Sequence, residues 1–499
     1  MVISISATRR LLALVATLLL TNALGCYSGG LAFEDLHGGA DSNDLGIEAE
    51  VLADISNVCN EVNGAVFKNG DPPSTHCSDW TVTVEPDDTC YDVCLLGGGL
   101  DCDPDCGGPV HFNFLGETSD VTPLNTGYYA SLTDDQLAKV RSDCQVHFVE
   151  DDTSGPRPEE EITVDDSDES AGTLARRGQQ KEAPWPLFEM SAATTVALPP
   201  PDESYYYVDN PGEGVDVYII DSGINHPYDE FNDDGRSDRI VDEINVSTEP
   251  DDYSDVAPNA GHGTLIADAV GGNGYSVAKS ATLRNVKYER NRVPDAARFV
   301  QAMQQVILKH NARKTESGFK GSIINMSFSL GKTLSAAKEL ENAYKAGISL
   351  VTSAGNRKYN ARSFPAIDEH VISVGGSSND YTPWQEAEAG SNYGEGILDL
   401  WAPGQRVPLT DKDGRSTTAT GTSFASGYVS GILAIFYGVE GTSMNLDLAR
   451  ERLIAQTDDW ITLPDGTDWH NSPKAFANTG NRKGAAQFPP VVYIGGPEV

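Results

Sequence analysis

With 499 residues, 39% of them hydrophobic, the chain is too long for one ordinary domain and apolar enough for a large core. A formal net charge of −39 and a pI near 4.4 exclude a partner read through nucleic-acid phosphates and oppose docking on anionic membranes. The acids are spread along the chain, which is the pattern of a solvated surface rather than of an acidic tail.

In chain order, Arg9 and Arg10 precede the apolar run Leu11 to Leu20, which ends near Ala23-Leu24-Gly25. That pattern predicts a secretory signal peptide over residues 1–25 and an extracellular destination. The run is too short to span a bilayer; a signal anchor or a lipidated Cys26 are the alternatives. The eight cysteines, Cys26, Cys59, Cys77, Cys90, Cys94, Cys102, Cys106 and Cys144, all lie in the first third of the chain. An even count in an exported chain predicts disulfides of undetermined connectivity, with zinc as the lesser reading because no His is suitably placed. Residues 26–78 are a Cys-containing segment of no legible role.

Residues 79–152 carry a small α+β pattern. Trp80, Val82 and Val84 alternate with polar residues as in a half-buried strand, and Val110, Phe112 and Phe114 do the same. Thr133 caps a predicted helix from Asp134 to about Ser142, and Gln145 to Glu150 reads as a strand. The stretch from Asp151 to about Glu182, bounded as 153–182, is acidic and poor in large apolar residues, so it predicts an unstructured linker. It contains the pair Arg176-Arg177, a predicted dibasic processing site.

Over 183–480 strand and helix patterns alternate, which predicts an α/β fold: a mostly parallel twisted sheet with helices on both faces. Val215–Ile220, Ser322–Met326, Ile348–Ser353 and His370–Val374 are apolar runs suited to strands covered on both sides. Asp295–His310 and Leu334–Ala346 have helical apolar spacing. Residues 481–499 form a C-terminal tail.

Three short segments carry chemistry. In Val217-Tyr218-Ile219-Ile220-Asp221-Ser222-Gly223 a carboxylate ends a buried strand. In Gly261-His262-Gly263-Thr264 an imidazole, able to take and return a proton near neutrality, opens a helix between glycines. In Gly421-Thr422-Ser423-Phe424-Ala425-Ser426-Gly427 a serine lies at a helix start, where free N–H groups favour a nucleophile and an oxyanion. Each is commonplace alone; an Asp ends many strands and a Ser caps many helices.

Together, in the order Asp221, His262, Ser423, they resemble the subtilase family, of a proteinase K-like kind. Ser353-Ala354-Gly355-Asn356 falls where that family keeps its oxyanion amide. Gly127-Tyr128, Leu132-Thr133-Asp134-Asp135-Gln136-Leu137 and Val149-Glu150-Asp151 resemble the closing half of the family's inhibitory propeptide. A LysM sugar-binding module is the competing reading of 79–152, from Val82, Val84 and Asp88-Thr89-Cys90. The resemblance implies a secreted, monomeric serine endopeptidase made as a zymogen, with Asp221, His262 and Ser423 catalytic and Asn356 in the oxyanion hole. Its implied partners are protein or peptide substrates and its own propeptide, with no nucleic acid and no membrane. No cofactor is required; calcium is compatible as a structural ion, with no residues assigned among acidic loops such as Asp233-Asp234 and Asp251-Asp252.

The sequence departs from the family's usual pattern at Leu265, Asp268, Phe424, Gly427 and Tyr428. These changes predict a looser helix behind Ser423 or an altered substrate fit, and Ser327-Phe328-Ser329-Leu330 leaves the P1 preference open. The alternative they motivate is an inactive scaffold whose Cys-rich N-terminal segment binds a glycan or a protein. Asn245-Val246-Ser247 is a predicted glycosylation acceptor; Asn325-Met326-Ser327 has the same pattern but follows a buried strand.

Overall fold

The computed structural model describes residues 78–84, 121–124, 127–132, 146–151, 163–166, 178–192, 203–226, 229–232, 239–247, 252–255, 257, 261–288, 296–358, 363–455, 460–464, 469 and 472–479. The expected signal peptide, the cysteines, the Val110–Phe114 strand, the helix after Thr133 and the Arg176-Arg177 pair lie outside them. Two compact units divide the chain, one built mainly from residues 1–152 and the other from most of the remainder.

The first unit contains β1 (Ser78–Val84), β2 (Val121–Leu124), β3 (Gly127–Leu132) and β4 (Val146–Asp151). They pair antiparallel in the order β2-β3-β1-β4. The alternation around Trp80 and the run from Gln145 thus become strands.

The second unit is organised on seven parallel strands: β8 (Val215–Asp221), β9 (Ile240–Asn245), β10 (Thr282–Lys287), β11 (Gly321–Met326), β12 (Ser349–Ser353), β13 (Ile372–Ser377) and β14 (Leu400–Pro403). Their order is β14-β13-β12-β11-β8-β10-β9. Every residue of β8, β11, β12 and β13 is buried, so the continuous apolar runs reflect cover on both faces. Asp216, wholly buried in β8, is matched by Arg284 at 3.0 Å and Arg313 at 2.8 Å, which keeps an interior charge paired. β9 and β10 lie to one side of β8, β9 at the edge, and β11 to β14 follow in succession on the other; the carboxyl ends beside such a reversal are where open α/β sheets place ligands.

Among the described residues the α-helices are α1 (Trp185–Met190), α2 (His262–Gly271), α3 (Ala296–Arg313), α4 (Leu334–Ala346), α5 (Thr422–Glu440) and α6 (Leu446–Ala455). α5 is long and apolar enough to cross a bilayer, but it is the buried core helix, packed against the sheet and α2. α5 runs unbroken through Gly427, where the sequence departs from the family's usual pattern. A Cβ at Gly427 would lie 3.1 Å from the Ala269 Cβ, and one at Gly431 2.5 Å from Val277 Cγ2 and 2.8 Å from the Val270 carbonyl oxygen. The two glycines, one turn apart, let α5 and α2 approach closely. Tyr428 and Asp268 fill the same buried layer, and Asp268 Oδ2 accepts from Thr410 N–H at 2.6 Å.

The linker differs from its expectation. β5 (Thr163–Asp166) pairs antiparallel with β16 (Ser416–Thr420), which also pairs with β15 (Val407–Thr410). The edge of β16 offers unpaired backbone N–H and C=O groups to residues 163–166, so this polar stretch of the expected linker is ordered as a strand. The fold also begins before Ala183. β6 (Gln179–Gln180) pairs with β7 (Tyr205–Tyr206), and buried Gln180 donates to the Gly274 carbonyl oxygen at 2.9 Å. At the other end, Thr479 N–H donates to the Met190 carbonyl oxygen at 2.8 Å.

Candidate active site

Asp221 is the last residue of β8, and its backbone carbonyl accepts from Tyr288 N–H at 2.9 Å. Its side chain is buried. Oδ1 accepts from Ser222 N–H at 2.8 Å, and both oxygens lie within reach of His262 Nδ1, at 2.8 and 2.9 Å. A carboxylate held this way fixes the imidazole's rotation and keeps the proton on Nδ1, leaving Nε2 as the basic nitrogen.

His262 is the first residue of α2, after the N-cap Gly261. Gly263 explains how the helix gets so close to β8: a Cβ there would meet the Gly223 carbonyl oxygen at 2.2 Å and Asp221 Cβ at 3.2 Å. Gly263 N–H donates to Ser222 Oγ at 3.1 Å, so the residue after Asp221 grips the residue after His262.

Ser423 lies in the first turn of α5, buried, with Oγ donating to the Ser327 carbonyl oxygen at 3.3 Å. The His262 and Phe424 rings lie 6.2 Å apart, which sets the start of α5 beside the imidazole. Below it, Ser426 Oγ donates to the Ser423 carbonyl at 2.8 Å, Ser327 Oγ lies 3.2 Å from the same oxygen, and Asn325 Nδ2 reaches Ser430 Oγ at 3.0 Å. This buried polar net ties the first turns of α5 to the end of β11.

Asn356 follows β12. Its Oδ1 accepts from Thr422 N–H at 2.9 Å and Thr422 Oγ at 2.7 Å. A backbone N–H can only donate, so the amide orientation is determined, and Nδ2 is a buried donor with no hydrogen-bond partner among the described residues. A buried N–H left without an acceptor is available to a ligand oxygen.

The structure thus brings Asp221 and His262 into contact, and Thr422 links Asn356 to the start of α5. Thr422 and Ser222 were not singled out in the sequence; their positions beside Ser423 and Asp221 were the available signal. Phe328 is used in packing: it stacks on Tyr288 at 4.9 Å and meets Phe299 edge-on at 6.0 Å. Asn245 Nδ2 donates to the Asp252 carbonyl oxygen at 2.9 Å, a bond that needs only one of its two hydrogens. Asn325 is fully buried. Among the described residues no group of three or more His, Cys, Asp or Glu is arranged to hold a metal ion; Asp233, Asp234 and Asp251 lie outside them.

Residues 212–458 match the family model described as "Subtilase family". The chain is 31% identical over 336 residues to "Alkaline protease 2" of Aspergillus fumigatus, a match covering 65% of this chain and 62% of that protein. It is 31% identical over 297 residues to "Subtilisin-like serine protease Pen ch 18" of Penicillium rubens, covering 58% and 57%. The chain thus matches less than two thirds of the length of these relatives. A solved cold-adapted subtilisin-like serine proteinase shares the fold, with a TM-score of 0.50 and 23% identity over 60% of this chain and 98% of that one.

Proposed function

With residues 212–458 belonging to the subtilase family, we propose that the protein is a secreted serine endopeptidase, made as a zymogen, that hydrolyses peptide bonds through an acyl-enzyme. The observation that carries this reading is the 2.8 Å contact between Asp221 and His262 at the carboxyl end of the central strand, with Ser423 opening the adjacent helix. Ser423 Oγ leaves the Ser327 carbonyl, gives its proton to His262 Nε2 and attacks the substrate carbonyl carbon. Asp221 stabilises the imidazolium formed. The tetrahedral oxyanion takes hydrogen bonds from Asn356 Nδ2 and Ser423 N–H, at the positive end of α5. His262 returns the proton to the leaving amine, and water, activated in the same way, releases the acid product and frees Ser423.

The region 79–152 acts as the inhibitory propeptide, and the four-stranded antiparallel sheet supports this role. Cleavage after Arg177 yields a chain starting at Gly178; the pairing of Gln179–Gln180 with Tyr205–Tyr206 supports retaining those residues in the mature enzyme. Against the inactive-scaffold alternative, Phe424, Gly427, Tyr428 and Asp268 are buried and none replaces a proton-transfer group. A serine-directed fluorophosphonate should label the purified protein and fail to label Ser423→Ala. Labelling that persists in the variant overturns the assignment.

A further inference from the structure

We propose that Asp255 is a positioning residue for this chemistry: its carboxylate clamps the first turn of α2, and with it His262, to the end of β8 that carries Asp221. The inference rests on the peptidase reading above.

The first N–H groups of an α-helix have no partner within the helix. In α2 the N-cap is Gly261, which has no side chain to supply one. Two distant segments do so instead. Ser222 Oγ accepts from Gly263 N–H at 3.1 Å, and Asp255 Oδ2 accepts from Thr264 N–H at 2.8 Å. Thr264 Oγ also reaches Asp255 Oδ2, at 2.7 Å, and itself accepts from Asn225 N–H at 3.0 Å. Asp255 Oδ1 accepts from Ala257 N–H at 3.0 Å and from Ser222 Oγ at 2.8 Å. The Asp255 N–H donates to Asn225 Oδ1 at 2.8 Å. Asp255 is buried, with four donors converging on its two oxygens, the environment of an ionised carboxylate. Burial raises its pKa, and the bonds from Thr264 oppose that shift. The charged groups around it are Asp221 and Lys412, whose ammonium goes to the Ala257 carbonyl oxygen at 2.7 Å.

Ser222 is the coupling element. Its hydroxyl has one hydrogen and two carboxylates in range, Asp255 Oδ1 at 2.8 Å and Asp221 Oδ1 at 3.0 Å. While Asp255 takes that hydrogen, Asp221 Oδ1 is left to Ser222 N–H and His262 Nδ1. Without Asp255 the hydroxyl turns to Asp221 and competes with the imidazole for the same oxygen. A negative charge near the imidazolium is lost as well. Both changes weaken the hold on protonated His262.

The test uses the full secreted chain, with kinetics normalised to sites titrated by a fluorophosphonate, so that misfolded protein does not count. Asp255→Asn should lower kcat about 10- to 100-fold on a chromogenic peptide, with KM within about threefold. The acid limb of its kcat/KM profile should move to lower pH by about half a unit or more. Ser222→Ala, which leaves Asp255 in place, should lower kcat in the same direction, and the double variant should lose less than the product of the two. If Asp255→Asn does not fold, Ser222→Ala and Thr264→Val carry the test. Wild-type kcat per titrated site with an unmoved acid limb, even alongside a lower Tm, overturns the proposal and leaves Asp255 a helix cap alone. A wild-type chain that takes no probe overturns the peptidase reading instead.

Discussion

Glu189 offers a direct test of how this fold handles buried charge. Its side chain in α1 is wholly buried, and neither carboxyl oxygen has a hydrogen-bond partner among the described residues. Burial, reinforced by the nearby Asp380 carboxylate, pushes its pKa from 4.5 to about 10. The native state therefore keeps a proton that the unfolded chain releases above its own carboxyl pKa. Because the native state binds more protons over that window, stability falls as pH rises from 4.5 toward about 10. The slope is about 1.4 kcal/mol per pH unit, so the loss between about pH 6 and about pH 8 is ~3 kcal/mol. Glu189→Gln keeps the shape and removes the titration. Urea unfolding, run in a Ser423→Ala background to prevent self-digestion, should show the variant gaining that ~3 kcal/mol over its parent across the same interval. Parallel stability curves for the two proteins would refute the argument, because they would mean that Glu189 is ionised and compensated in the native state.

Other expectations follow from the same structure. Asn356→Ala should lower kcat by on the order of 100- to 1000-fold with little change in KM, a range measured on subtilisin itself rather than worked from this molecule. Asn356→Asp, which retains an acceptor for Thr422, should lose a similar factor in peptide-hydrolysis assays. In thermal unfolding Gly431→Ala should cost about 1–3 kcal/mol, since its methyl meets a backbone carbonyl, while Gly427→Ala, meeting only a methyl at 3.1 Å, should stay within about 1 kcal/mol. His310 is buried between Ser322 Oγ at 2.9 Å and the Ala346 carbonyl oxygen at 3.1 Å. Burial, aided by Lys314, lowers its pKa from 6.5 to about 4. It is therefore neutral in the fold, and stability is lost as pH falls from 6.5 toward about 4. His310→Gln should flatten that acid slope by on the order of 1.4 kcal/mol per pH unit in denaturant titrations.

Much of the second unit could be read from order along the chain. Val215–Asp221 and Gly321–Met326 are buried on both faces because helices cover both sides of a parallel sheet, and such cover leaves a mostly apolar run in the sequence. Asp221, His262 and Ser423 stood out through their order along the chain, and Gly263 is required by a backbone approach that no side chain tolerates. Other features had no local signature. Asp268, Gly427 and Tyr428 looked like departures that loosen a helix, and only the crossing of α5 over α2 shows that they fill one layer. β5 was hidden within an acidic, polar stretch, because its order comes from the free edge of β16 and not from its own composition. Asp255 was one acid among many in a loop. Local sequence determines which residues are apolar, which backbone segments are strands or helices, and which side chains can move a proton. Whether a carboxylate is a solvated surface charge or a buried anchor depends on the donors converging on it. For Asp255 these include Ser222 and Thr264, brought together only when β8 and α2 meet, and for Glu189 the described structure supplies none.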